Sequence, residues 1–300
     1  MSRHEQSSAG RPTELRLVYI LGTGRSASTL LDVALGSHSA MLSLGEVMGA
    51  VEATESNPLC ADGEPFLECP FWTPVRDTLA VASVEQRKYF NGVRFPRLLA
   101  LYAPRRYRRV VAVFSELNLA ALGGFQCTTP EATWIDASKM YWRLHFLRRA
   151  VGDGTIRVIY LYRDGEAVIN SEMSHGSSFV RALAKWWLHN YGALREIRTL
   201  ASHNYQVLRF DELLGNPERV LRGLSSWLDV EFEPLMLNPH WNRHYGFSGN
   251  RHVLSALRRP RGVVFGAPTD GPNLTWLRHI TFRVVTFRLR RALARLSESS

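Results

Sequence analysis

Short apolar runs rich in β-branched residues recur along the chain, and each is followed by a stretch with helical spacing. Leu15–Leu21 stops at Gly22, and Ser28–Gly36 then has the pattern of an opening helix. Ile156–Tyr162 is a second run of this kind, and a helical stretch follows it from Asp164. We therefore predict two buried strands, each leading through a short loop into a helix.

Two further runs extend the same alternation. Tyr205–Phe210 predicts a strand that leads into a helix over Asp211–Leu228, with Asp211 as its N-cap. Trp134–Asp136 predicts a shorter strand before a helix over Met140–Val151. Strands that alternate with helices are typical of a parallel sheet covered on both faces. The sequence therefore predicts a three-layer α/β fold with helices on both faces of a parallel sheet.

The alternation is interrupted over residues 57–130, where prolines make the helices hard to place. We expect this segment to be an insertion that caps the sheet of a single domain spanning residues 15–280. Residues 1–14 are polar and predict a disordered tail. The prolines of the insertion are Pro58, Pro65, Pro70, Pro74, Pro96 and Pro104.

Residues 281–300 predict a basic amphipathic C-terminal helix. Apolar residues recur on one helical face and arginines lie opposite. Such a helix either packs on the domain or lies in the interface of an anionic membrane, so peripheral membrane contact is one expectation. The apolar face comprises Phe282, Val285, Leu289, Leu293 and Leu296, and the opposite face carries Arg288, Arg291 and Arg295.

The positive charge of the chain is regional. The net charge of +10 comes from 37 basic and 27 acidic residues. Two segments, Asn91–Phe114 and Trp276–Leu296, are rich in arginine, and six arginines in each make up twelve of the 37 basic residues. The remaining 25 basic residues nearly balance the 27 acids. This pattern indicates anionic partners at defined places, and we expect no nucleic-acid partner.

Composition narrows the class of protein. A hydrophobic content of 45% over 300 residues is enough to bury a sizeable core, so disorder is not expected. Because there is no run of about 18 apolar residues and the first 14 are polar, the sequence predicts neither a spanning helix nor a secretory signal. We therefore expect a cytoplasmic protein. Cys60 and Cys69 are either unremarkable thiols or a local bridge or redox pair, and no metal site is predicted.

The loop between the first strand and helix has the character of an anion site. Its backbone N–H groups and the helix N-terminus should converge on one point, as in a P-loop-like strand-loop-helix unit. Glycine permits a tight turn, arginine adds a fixed charge, and hydroxyls donate hydrogen bonds. The candidate residues are Gly22, Thr23, Gly24, Arg25, Ser26, Ala27, Ser28, Thr29 and Leu30.

A nucleoside-triphosphate loop would end in Gly-Lys-Ser or Gly-Lys-Thr, so that a lysine reaches the phosphates. Here the corresponding stretch is Ser-Ala-Ser-Thr, and no lysine occurs between Met1 and Gln86. This weakens a kinase interpretation. An ordinary strand-to-helix turn is the other alternative.

With these motifs the chain resembles the sulfotransferases that use 3′-phosphoadenosine 5′-phosphosulfate (PAPS), particularly the tyrosylprotein-sulfotransferase-like and bacterial branches. Arg25 occupies the basic position of that family's Pro-Lys/Arg-Ser-Gly-Thr-Thr loop. Arg163 and Ser171, eight residues apart after a strand, match the family's pair that binds the 3′-phosphate. The Gly249-Asn-Arg-His segment resembles a late family segment, which would bring Arg251 to the same phosphate. The resemblance implies PAPS as co-substrate and no metal.

The resemblance also implies catalytic residues. Glu46 lies twenty-one residues beyond Arg25, where the tyrosylprotein branch has its glutamate base. Lys139 lies near the position of a lysine that assists the leaving oxygen, and Asp136 could orient it through an ion pair. A surface carboxylate and a solvent-facing lysine are the alternatives for these two side chains.

The adenine contacts depart from the family pattern. The family often has a tryptophan at the position of Leu30 and a tyrosine at that of Phe210. Phe210 still offers an aromatic face, and Trp186 and Trp187 could substitute, although tryptophans in a helix usually belong to the core.

The expected function is transfer of a sulfuryl group from PAPS to a hydroxyl of a small-molecule, glycan, lipid-linked or peptide acceptor. The insertion at residues 57–130 would shape the acceptor side. Two other functions compete: a P-loop-type small-molecule kinase, and a basic protein that binds membrane or nucleic acid.

Overall fold

One parallel five-stranded sheet organises the chain, with the strands in the order β2-β3-β1-β4-β5. The structure is a computed structural model, which describes residues 16–129, 133–239, 244–257, 265 and 275–298. The predicted tail at residues 1–14 lies outside these ranges. The strands are β1 (Leu17–Gly22), β2 (Met41–Ser43), β3 (Thr133–Lys139), β4 (Ile156–Tyr162) and β5 (Tyr205–Arg209).

Helices cover both faces of this sheet. Their bounds are α1 (Ser28–Gly36), α2 (Ala50–Ser56), α3 (Thr73–Val81), α4 (Val84–Arg87), α5 (Pro96–Tyr102), α6 (Pro104–Thr128), α7 (Tyr141–Val151), α8 (Gly165–Ser174), α9 (Phe179–Ile197), α10 (Phe210–Gly215), α11 (Pro217–Trp227), α12 (Arg251–Leu257) and α13 (Trp276–Glu298).

The central strand β1 is buried along its whole length, and its side chains divide between two cores. Leu17, Tyr19 and Leu21 pack with residues of α6, α7 and α9 on one face. Val18 and Ile20 pack with residues of α1 and α11 on the other. Alternate side chains of a strand point to opposite faces, so a strand buried on both sides is apolar throughout. The predicted three-layer α/β fold is confirmed.

The predicted element bounds are correct where the pattern is strong and wrong where proline intervenes. α1 and β4 have the predicted limits, whereas β3 is longer than Trp134–Asp136. The single helix predicted over Asp211–Leu228 is two helices. Asn216 adopts a non-helical conformation (φ −140°, ψ 60°) because the residue before Pro217 is pushed away from helical geometry. Asp211 lies inside the first turn of α10 and is not its N-cap.

A buried arginine ties the proline-rich segment to the sheet. Arg143 of α7 lies 2.8 Å (Nε) from Asp136 Oδ2 on β3, and both side chains are almost fully buried. The same guanidinium donates to the Phe90 carbonyl and to Asn118 Oδ1 on α6. Asp136 therefore holds Arg143, and the predicted role in orienting Lys139 is wrong. The division of the chain into tail, domain and insertion stays a prediction.

Helix α6 is the one helix in the described ranges that is long and apolar enough to cross a membrane. Of its most apolar stretch, 44% is buried inside the fold. Phe114, Leu117 and Phe125 of this helix belong to the main core. Length and composition alone are weak evidence for a membrane span.

The C-terminal helix α13 starts at Trp276, five residues before its predicted start, and packs on the domain. Phe282 is buried and meets Trp186 of α9 edge to face at 5.5 Å between ring centroids. Val285 was expected on the packed face but is 55% exposed, because Thr286 is buried there instead. Contact with a membrane stays a prediction. Exposed apolar residues on the outer side are Leu277, Ile280, Val284 and Phe287.

Candidate functional site

A groove of about 690 Å³ lies at the carboxyl ends of the parallel strands. This edge is where α/β sheets of this kind bind their ligands. The groove brings together most of the side chains predicted from the sequence. Those that line it are Gly24, Arg25, Ala27, Ser28, Thr29, Leu30, Glu46, Lys139, Arg163, Ser171 and Phe210.

The loop after β1 is held in an unusual backbone conformation. Arg25 and Ala27 have φ values of 68° and 62°, in the left-handed region that costs a non-glycine residue about 1–2 kcal/mol. Such strain clusters at ligand sites. The sequence suggested that glycine permits the tight turn of the loop, but Gly22 does not have this role. A Cβ at Gly22 would lie 2.6 Å from the Leu161 carbonyl oxygen, so glycine is needed for close approach to β4.

The hydroxyls of the loop divide into structural and groove-lining groups. Ser26 is fully buried and its Oγ donates to the Thr23 carbonyl at 2.6 Å, so this hydroxyl holds the loop together, and its predicted contact with the donor stays a prediction. Ser28 and Thr29 form the first turn of α1 and line the groove. Ala27 makes no side-chain cap to α1. The first backbone N–H groups of the helix are therefore free of a side-chain cap where an anion would bind.

Arg163 joins the two predicted motifs in space. Its Nη1 donates to the Arg25 carbonyl at 2.7 Å, across 138 residues of sequence. Its guanidinium carbon lies 4.2 Å from the ring centroid of Phe210. Burial lowers the pKa of Arg163 from its usual value, although Asp211 and Asp164 oppose this effect. Arg163 thus fixes the loop, and one face of Phe210 is already occupied by it.

Ser171 lies on α8 and lines the same groove as Arg163. The late segment reaches the groove through Gly249 and Asn250, and the Asn250 backbone N–H donates to Thr29 Oγ1 at 3.1 Å. Arg251 is the first residue of α12, but its side chain lies outside the described part of the structure. Its predicted contact with a phosphate stays a prediction.

The two predicted catalytic side chains touch each other. Lys139 Nζ, at the end of β3, donates to Glu46 Oε1 in a direct ion pair. Both side chains are mostly buried, and Lys139 has a left-handed φ of 70°. A Cβ at Gly249 would lie 3.5 Å from Glu46 Oε1, so the late segment closes over this pair. The groove therefore contains a carboxylate and an ammonium beside the anion loop.

A second ion pair at the groove was not predicted. Lys185 Nζ of α9 lies 2.8 Å from Glu172 Oε1 of α8, next to Ser171. The Glu172 carboxylate also lies close to the loop, 3.5 Å from where a Cβ of Gly24 would be. No motif marks these positions, since only the helix packing brings them together.

A cluster of possible metal ligands lies among residues that do not line the groove. The thiols of Cys60 and Cys69 and the carboxylate of Asp62 have ligand atoms within 4.8 Å of one another. Neither cysteine forms a disulfide with a described residue, and burial raises the pKa of each thiol. Protonated thiols are poor metal ligands. Asp62 was not predicted as a member of this cluster.

The chain is similar to known sulfotransferases. A model of the sulfotransferase family matches residues 18–234. No curated protein matches the chain. The sulfotransferase domain from the curacin biosynthetic pathway is 20% identical with a TM-score of 0.50, covering 80% of this chain and 82% of its own. Sulfotransferase STF9 from Mycobacterium avium is 14% identical with a TM-score of 0.51, covering 93% and 76% respectively. These likenesses show a shared fold, and the family match over most of the chain shows that it belongs to the sulfotransferase family.

Proposed function

We propose that the enzyme transfers a sulfuryl group from PAPS to a hydroxyl of its acceptor. The observation that carries this proposal is the contact between Arg163 and the Arg25 carbonyl. It joins a site suited to the 5′ end of the donor to a site suited to its 3′-phosphate within one groove. A nucleotide with phosphate-type groups at both ends fits such an arrangement.

The donor would lie with its phosphosulfate at the N-terminus of α1. Backbone N–H groups and the helix dipole favour an anion there, and Ser28 and Thr29 add hydroxyl donors. The guanidinium of Arg163 and the hydroxyl of Ser171 would hold the 3′-phosphate. A kinase is disfavoured, because the loop carries no lysine for a γ-phosphate.

In the reaction, the acceptor oxygen forms a bond to sulfur while the bond from sulfur to the bridging oxygen of the donor breaks. The acceptor proton passes to Glu46, and 3′-phosphoadenosine 5′-phosphate (PAP) leaves. Positive groups stabilise the charge that develops on the transferred group and on the bridging oxygen. The ion pair between Lys139 and Glu46 suggests the order of the steps. When the donor binds, Lys139 moves towards the bridging oxygen and leaves Glu46 free to accept a proton.

The Glu46→Gln substitution tests this assignment, with Glu52→Gln on the exposed side of α2 as the matched control. We expect Glu46→Gln to lower kcat by about 10²–10⁴-fold, because the amide cannot accept the acceptor proton. The affinity for PAP should be retained. Transfer of ³⁵S from labelled PAPS across a panel of phenols, glycans, tyrosine peptides and lipid-linked hydroxyls measures the activity. Full activity of the Glu46 variant would remove that residue from the mechanism, and absence of transfer to every class would contradict the proposed function.

A further inference from the structure

A second cavity, of about 580 Å³, adjoins the donor groove. Gly24, Met140, Glu172 and Lys185 line both spaces. A molecule in this cavity would therefore reach the loop that would hold the sulfuryl group. Its volume suits a small ring compound with several substituents.

His189 of α9 lines this cavity and carries an unused hydrogen-bonding atom. The residue is only 7% exposed, and its Nε2 has no hydrogen-bond partner among the residues that the structure describes. A buried polar atom left without a partner is costly, so native structures usually satisfy it. A bound ligand would supply the missing partner.

The charge of the ring follows from its surroundings. Burial, with Lys185 and Lys139 nearby, lowers the pKa of His189 to about 4, so the ring is neutral at physiological pH. Each nitrogen of a neutral imidazole either donates or accepts a hydrogen bond, according to the tautomer. A hydroxyl can do both, so it is the natural partner of Nε2.

Two cations at the cavity lack an acidic partner. Lys185 is neutralised by Glu172, but none of the ion pairs among the described residues involves Arg94 or Arg181, which also line the cavity. Both side chains are exposed. A pair of free guanidinium groups favours a carboxylate, sulfate or phosphate.

The wall beside these cations is aromatic. Trp142 and Phe95 line the cavity, and the Arg94 guanidinium lies 5.4 Å from the centroid of the Trp142 ring. A flat aromatic face beside a cation suits a ring that carries a negative group.

We propose that this cavity binds the acceptor, and that the acceptor is a ring compound bearing both a hydroxyl and an anionic group. His189 Nε2 forms a hydrogen bond with an acceptor hydroxyl, Arg94 and Arg181 bind the anion, and Trp142 contacts the ring. This inference rests on the proposed sulfuryl transfer. A phenol and a sugar can both carry a hydroxyl and an anionic group on a ring, so the experiment has one arm for phenols and one for sugars.

Matched pairs of acceptors test the anionic requirement. One arm compares 4-hydroxyphenylacetate with 4-hydroxyphenylacetamide, and the other compares 4-nitrophenyl β-glucuronide with 4-nitrophenyl β-glucoside. In at least one arm the carboxylate should have a kcat/KM about tenfold higher than its neutral partner. The double variant Arg94→Ala/Arg181→Ala should lose this preference, whereas Arg198→Ala, an exposed arginine at the end of α9, should keep it.

A preference that is the same in the wild type and the double variant would overturn the proposal, as would preference for the neutral compound in both arms. Where no compound of either pair is sulfated, calorimetry measures whether the two carboxylates bind to the PAP-saturated protein. If neither carboxylate binds, the proposal is wrong. Failure of the proposed function would look different, since the protein would then bind no PAP and transfer no label.

The role of His189 in acceptor binding has its own readout. His189→Phe removes the hydrogen-bonding nitrogen and should raise the KM for the preferred acceptor about tenfold, with kcat and PAP affinity changed by less than about threefold. His189→Gln keeps a hydrogen-bonding amide and should restore much of the KM. An unchanged KM in the Phe variant, or Gln and Phe variants that behave alike, would contradict the assignment. Thermal unfolding checks that both variants fold.

Discussion

At the scale of single residues, Asp32 is a buried carboxyl directly behind the anion loop, on α1. It is 3% exposed, and burial raises its pKa to about 7, while the nearby Glu46 and Asp136 add to this and the Ser43 hydroxyl opposes it. Ser43 Oγ donates to Asp32 Oδ1 at 2.8 Å. The carboxyl therefore stays protonated in the folded protein at pH values where the unfolded chain has already lost the proton.

This shift predicts how stability depends on pH. The folded pKa lies above the unfolded value of 3.8, so the contribution of Asp32 is fully present below pH 3.8 and is lost as pH rises through about 7. Asp32→Asn keeps the Ser43 hydrogen bond without a titrating group. Relative to the wild type, the variant should gain about 2.6 kcal/mol of unfolding free energy between pH 5 and pH 8. Urea denaturation at pH 5 and pH 8 measures this gain. An equal difference in unfolding free energy between variant and wild type at the two pH values would refute the prediction.

At the scale of elements, the loop between β1 and α1 depends on close packing more than on glycine flexibility. A Cβ at Gly22 would meet the Leu161 carbonyl at 2.6 Å, whereas one at Gly24 would make an ordinary contact with Glu172 at 3.5 Å. We predict that Gly22→Ala costs about 1–3 kcal/mol of stability and weakens PAP binding, because the loop must move away from β4. Gly24→Ala should change stability by less than about 0.5 kcal/mol. Comparable losses in the two variants, measured by denaturant unfolding, would contradict this account.

The sequence predicted elements with strong periodicity and missed what depends on packing. The limits of α1 and β4 follow from their apolar patterns, and Pro217 explains the break between α10 and α11. The left-handed conformations of Arg25 and Ala27 could not be predicted, because nothing in the composition of the loop singles out non-glycine residues for them.

In the functional site too, some residues were predicted from the sequence and others depend on packing. Glu46 was predicted from the resemblance to the tyrosylprotein branch, and the structure puts it in contact with Lys139. The Glu172–Lys185 pair and His189 come from the faces of α8 and α9. Their meeting depends on how those helices rotate and pack, and no spacing rule within one segment encodes it.

At the scale of the whole molecule, the two arginine-rich segments have different surroundings. In the first, Arg97 and Arg109 pair with Glu196 and Glu85, while Arg94 reaches the second cavity. In the second, α13 buries one side on the domain and leaves most of its arginines exposed. The regional charge is therefore partly structural and partly available to anionic ligands.

The central claim is that one groove binds a nucleotide with a phosphate at its 3′ position and a phosphosulfate at its 5′ position. The most direct measurement is binding of PAP, compared with ATP, to the wild type and to Arg163→Ala in the absence of magnesium. Arg209→Ala, an exposed arginine at the end of β5, is the matched control. PAP at 100 times its Kd should stabilise the wild type and the control by about 2.7 kcal/mol, which shifts Tm by several degrees. ATP should stabilise little, and Arg163→Ala should lose most of the PAP effect. No stabilisation by PAP, or an equal effect of ATP, would contradict the account.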